Sequence, residues 1–114
     1  MSDLHVTALP LDGLKLVERT RHGDARGFLA RVFDAQSLAA AGWRGPLSQV
    51  NHTHTAHRGT VRGLHLQLPP HCEMKLVSCV RGEIWDVAVD LRAGPPPSCT
   101  GTPSGYRPRT AAHF

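Results

Sequence analysis

The chain has 114 residues, 40% of them apolar and 19% charged, an ordinary globular balance with room for one small core. Thirteen Lys and Arg against nine Asp and Glu give a formal charge of +4, a surface that welcomes phosphate groups. The arginines are scattered, the two Trp, one Tyr and three Phe form no stacking ladder, and no stretch of about 18 apolar residues occurs, so neither nucleic-acid binding nor membrane spanning is expected.

In chain order, the start MSDLHVTALP lacks a basic segment followed by an apolar run, so no export signal is expected. Short runs at Leu14 to Val17 and Phe28 to Phe33 predict β-strands, with RHGDARG, Arg21 to Gly27, as the turn between them. Asp34 is placed to cap a brief helix over residues 35–41, stopped by Gly42. Further strands are predicted over Pro46 to Asn51, Thr60 to Gln67, Glu73 to Val80 and Glu83 to Leu91. Gly59, the Pro69-Pro70 pair and Arg81-Gly82 punctuate them. Regularly spaced short strands with one helix predict an all-β sandwich or barrel. Cys72, Cys79 and Cys99 match neither a disulfide framework nor a zinc knuckle, which fits a reducing cytosol. Residues 95–114 hold five of the nine prolines and no strand-length alternation, and at face value predict a disordered tail.

Chemistry concentrates in RGLHLQLPPHCEMKLV, Arg62 to Val77. Strict alternation over residues 60–67 sets His65 and Gln67 on one face and Arg62 on the other. Arg62 and His65 serve one pocket only if Gly63 bends or bulges the strand. Lys75 shares a face with Val77 and Cys79, so its ammonium lies among apolar neighbours unless that face lines a wet cavity. Asp86 interrupts the apolar run IWDVAVDL. Each has a bland reading: His65 a hydrogen-bonded core histidine, Lys75 a snorkelling edge residue, Asp86 a turn acceptor. Together on adjoining strands they point to an inner-face site for proton transfer. A competing constellation is His52, His54 and His57, with His71 and Glu73 downstream. His-x-His on a strand aims both imidazoles one way, as metal-binding barrels of the cupin kind require.

The segments DARGFLARVF, SQVNHT, RGTVRGLHLQ and MKLVSCVRGEIWDVAVDLRAG, in that order from about Gly13 to Gly94, resemble the dTDP-4-dehydrorhamnose 3,5-epimerase family. The resemblance implies a jelly-roll, cytoplasmic, homodimeric enzyme of deoxysugar biosynthesis that uses no metal or other cofactor. Its implied partner is the nucleotide-sugar substrate dTDP-4-dehydro-6-deoxy-D-glucose, epimerised at C3 and C5 beside the C4 ketone. By position His65 corresponds to the general base and Lys75 to the cation facing the enolate. Arg26, Gln49, Asn51 and Arg62 correspond to substrate-binding positions, and Arg31 departs from a common glutamate. The other readings are a non-catalytic nucleotide-sugar-binding fragment and a metal cupin through His52, His54 and His57.

After DLRAG the family continues with SPTF, a Trp and LSAEN, which this chain lacks. Permitted codons for residues 94–114, read from the third base of each, spell SPTFLHWHAERLSAENGRTL. The sequence therefore predicts two regions: 1–94, the N-terminal part of a jelly-roll epimerase domain, and 95–114, an out-of-frame tail. The tyrosine acid and the histidine-orienting aspartate that the resemblance implies match nothing here, Tyr106 included, so turnover by this chain is not expected.

Overall fold

Leu4, Val6 and Ala8 alternate with polar residues, and such a strand needs a partner for both its apolar face and its backbone hydrogen bonds. The computed structural model, which describes residues 3–91, supplies one locally. Strand β1 (Leu4–Ala8) pairs antiparallel with β2 (Lys15–Arg19), in a register that sets Leu4 opposite Arg19 and Val6 opposite Val17. The connection closes through Leu9 N–H to the Leu14 carbonyl and Leu14 N–H to the Leu11 carbonyl, both at 3.0 Å. Gly13 takes φ +83° in that turn, where a Cβ would be strained.

A second antiparallel pair follows, β3 (Arg21–Asp24) with β4 (Gly27–Ala30), joined by the two residues Ala25 and Arg26. RHGDARG is therefore a strand and a tight turn rather than a turn alone. The Asp24 carboxylate accepts the Arg26 backbone N–H at 2.8 Å, which lets the chain reverse in two residues and leaves Arg21 to Asp24 free to pair. The predicted helix is present as α1 (Ala35–Ala40), with Asp34 capping it by accepting from the Ser37 N–H at 2.7 Å. Gly42 follows at φ +104°.

The described residues fall into two units, one of residues 3–43 with 76–91, the other of 44–75. Among the described residues, Leu4, Leu11, Leu38 and Cys79 are the buried apolar side chains, all in the first unit. Arg19, on the inner face of β2, donates to the Ser78 hydroxyl, and burial lowers its pKa. In the second unit Val61 is 89% and Leu64 77% exposed. Turns or bends occur at Gly59, Pro69-Pro70 and Arg81-Gly82, where the sequence puts its punctuation. The four strands predicted between residues 46 and 91 are not formed: among the described residues the ladders are confined to the two hairpins. Hairpins close over a few residues, whereas those four segments need partners that alternation cannot name. The elements that do form are strands and one short helix, an all-β character. No described helix is long and apolar enough to cross a membrane. The predicted tail, Cys99 and Tyr106 lie outside the described residues.

Three carboxyls in the first unit have pKa values held below the usual range. Asp3 is lowered chiefly by its hydrogen bond with His22, Asp24 by that with Arg26, and Asp34 by hydrogen bonds from Ser37. A depressed folded-state pKa stabilises the fold above the unfolded value and loses that contribution as pH falls through the folded one. The expected result is a denaturation midpoint insensitive to these groups between pH 7 and about 4, then falling more acidic than that. Loss of stability from these groups already near pH 6 would contradict the pairing.

Candidate active site

Arg26 occupies the β3–β4 turn because the hairpin closes in two residues, and its side chain is 90% exposed. Asp24 holds it: Nη2 donates to Oδ2 at 2.6 Å and Nε to Oδ2 at 3.1 Å. This pairing raises the Arg26 pKa, so the group stays charged. Beside it lies a hollow of about 290 Å³ lined by His22, Asp24, Arg26, Gly27, Phe28 and Leu29. Arg21 lies over the Phe28 ring, 4.5 Å from its centroid. His22 Nε2 is 2.9 Å from Asp3 Oδ1. Arg31 reaches Asp3 at 3.4 Å and Asp34 at 3.9 Å, a structural use for this departure from the family pattern.

The second unit carries the other candidates. Arg62 donates from Nε to the Thr55 hydroxyl at 3.2 Å and from Nη2 to the His54 carbonyl at 3.3 Å. Both acceptors are neutral, so they steer the guanidinium without cancelling its charge. Gly63 takes φ +105°, outside the extended region that a strand would use. A positive φ interrupts strict alternation, so Arg62 and His65 are not obliged to face apart. A Cβ on Gly63 would lie 3.3 Å from His65 Cδ2, so the imidazole rests against the bare glycine. Gly63→Ala therefore both strains the backbone and pushes the ring. If His65 is the base, kcat of a family-length protein carrying this change should fall at least about 10-fold while nucleotide affinity changes little. Retained kcat would remove the ring's position from the account.

Lys75 is where expectation and structure part. Its side chain is 54% exposed rather than set among apolar neighbours, and its Nζ lies 3.4 Å from Glu73 Oε1. Residues two apart in an extended chain share a side, and the carboxylate meets the ammonium there. No hydrogen bond or ion pair among the described residues joins Lys75 to His65. Gln49 and Asn51 are exposed, as is His65.

The metal alternative is not assembled. Among the described residues no three His, Cys, Asp or Glu side chains converge, and His52, His54 and His57 stand exposed in an unpaired segment. His54 engages through its backbone carbonyl instead. Asp24 and Thr55, which orient candidate cations, escaped the sequence reading, and Glu73 entered it only beside the metal constellation rather than as the partner of Lys75. Asp-x-Arg at a turn signals the first, whereas nothing in a seven-residue separation signals Thr55 to Arg62.

Comparison with known proteins follows the same residues. The profile of the family described as dTDP-4-dehydrorhamnose 3,5-epimerase matches residues 8–100. A dTDP-4-dehydrorhamnose 3,5-epimerase of Sinorhizobium fredii is 39% identical over 100 residues, covering 84% of this chain and 49% of the relative. Those of Shigella flexneri and Pseudomonas aeruginosa are 37% and 38% identical over 94 residues, covering 82% of this chain and 51% of each relative. This chain thus spans about half the length of the curated relatives it matches. No solved structure matches it. The profile and these relatives place the chain in the dTDP-4-dehydrorhamnose 3,5-epimerase family.

Proposed function

We propose that residues 1–94 are the N-terminal part of a jelly-roll domain that epimerises dTDP-4-dehydro-6-deoxy-D-glucose at C3 and C5. The carrying observation is Gly63 at φ +105° between Arg62 and His65, with the imidazole against the glycine. That local geometry supports one residue gripping the substrate while its near neighbour works on it.

The chemistry follows from the residue types. A C–H beside a ketone is acidic enough for a neutral imidazole only if the enolate is stabilised. His65 takes the proton, the C–H electron pair moves into the enolate, and negative charge gathers on the C4 oxygen opposite the Lys75 ammonium. Reprotonation from the other face inverts the carbon. Arg26 and Arg62 suit the nucleotide diphosphate, since each guanidinium offers a planar fork to phosphate oxygens. Gln49 and Asn51 supply amide contacts to the sugar. The enzyme works in the cytoplasm as a homodimer, without a metal or cofactor.

Residues 95–114 are proposed to be out-of-frame translation after one base lost near the Gly94 codon. Val61, Leu64 and Leu66, all more than half exposed, are apolar residues that further jelly-roll strands would cover. A non-catalytic nucleotide-sugar binder is the other reading. Incubating the frame-restored protein with dTDP-4-dehydro-6-deoxyglucose in deuterated water separates the two. Deuterium at C3 and C5 supports the epimerase, and nucleotide binding with no exchange supports the binder.

A further inference from the structure

The Arg26 guanidinium is held more tightly than its exposure suggests. Four hydrogen bonds reach Asp24: backbone N to Oδ1 at 2.8 Å, Nε to Oδ1 at 3.3 Å, Nε to Oδ2 at 3.1 Å and Nη2 to Oδ2 at 2.6 Å. The backbone contact suffices to form the turn; the other three act only on the side chain. A guanidinium has five N–H donors in a rigid fork, and Asp24 takes those along the Nε–Nη2 edge. The Nη1 donors and the second Nη2 donor remain for another anion. Arg62 is gripped along the same edge, by Thr55 and the His54 carbonyl.

We propose that Asp24 is a positioning residue: its carboxylate fixes the Nε–Nη2 edge of Arg26 and thereby presents the Nη1–Nη2 edge to the diphosphate of a nucleotide sugar. The inference rests on Arg26 being a diphosphate contact. An arginine 90% exposed otherwise samples many rotamers, and ordering it on binding costs affinity. Pre-ordering by Asp24 removes part of that cost although the carboxylate itself repels the ligand. Charge alone and positioning thus predict opposite signs for the loss of this carboxylate.

Asp24→Asn isolates the effect, because asparagine Oδ1 still accepts the turn N–H while its amide N–H₂ faces the Arg26 donors and releases them. The test is titration of dTDP into the 114-residue chain, D24N, R26Q and the double variant at low ionic strength. Expected is about 3-fold weaker binding in D24N, a larger loss in R26Q, and a double variant no worse than R26Q, the signature of coupling through one residue. Tighter or unchanged binding in D24N overturns the proposal, as does an equal loss in the R26Q background. Parent binding no better than R26Q overturns the Arg26 reading and this inference with it. A ligand-free readout covers a variant that fails to fold: the Arg26 Nε–H of the parent should be protected from solvent exchange. An unprotected resonance also overturns the proposal.

Discussion

Inserting one base in the Gly94 codon is expected to yield an active epimerase from a chain expected to be inactive. Codons permitted for residues 94–114, read from the third base of each, can spell SPTFLHWHAERLSAENGRTL in place of residues 95–114. In most shifted codons only the first base is adjustable, since the other two are the leading bases of an observed residue's codon; those that draw on Ser98, Ser104, Arg107 and Arg109 have one further choice. A family continuation over twenty positions is hard to obtain that way by chance. Physically, restoration adds strands to cover Val61, Leu64 and Leu66 and to pair the segments between residues 46 and 91 that now have no ladder. The twenty restored residues hold neither a tyrosine nor an aspartate, so the acid for the opposite face and the carboxylate that orients His65 are expected from codons that follow them, and without both the catalytic unit fails as a whole. A higher denaturation midpoint and turnover should therefore arise together in the restored protein. A gene whose genomic sequence reads in the present frame, with no family-like continuation in another frame, would refute this part.

Lys75→Met in the restored protein is expected to lower kcat by about 10²- to 10³-fold while leaving KM within a few-fold, because the ammonium acts on charge that exists only in the enolate. The Lys75 side chain is half exposed and shares its charge with Glu73 at 3.4 Å, an arrangement worth little in water. Its value depends on a dry pocket, where the same charge acts through a lower dielectric. Glu73→Gln should then cost far less than Lys75→Met, since it leaves the ammonium in place. Steady-state kinetics on the two variants decide. Equal losses in both would mean that the ion pair, not the cation facing the ketone, carries the effect.

Local structure was legible where chemistry is local. Asp34 before Ala-rich residues announces a capped helix, and Leu14 to Val17 lies largely within β2 (Lys15–Arg19). Strand β1 was missed although Leu4, Val6 and Ala8 alternate, because a five-residue pattern near a chain start carries few matches to the template. Arg21 to Asp24 was assigned to a turn because Gly and Asp there read as punctuation; the Asp24 side chain makes the turn so tight that these residues pair instead. The segments between residues 46 and 91 carry the right alternation, but a strand is defined by its partner, and partners across long sequence separations leave no mark in either segment alone. At the site, motif order gave the candidate residues, and Gly63, where a bend or bulge was the condition for Arg62 and His65 to serve one pocket, takes φ +105° in a segment that forms no strand. What sequence could not give is how each cation is held, since Arg62 to Thr55 and Lys75 to Glu73 depend on rotamers and local backbone path.

Removal of the proton beside the ketone by the His65 imidazole can be followed as solvent deuterium entering C3 and C5 of dTDP-4-dehydro-6-deoxyglucose, with the restored protein and its His65→Asn variant. The account predicts exchange at both carbons in the parent and a loss of about 10²- to 10⁴-fold in the variant, with dTDP affinity preserved. Exchange at the parent rate in His65→Asn would contradict it.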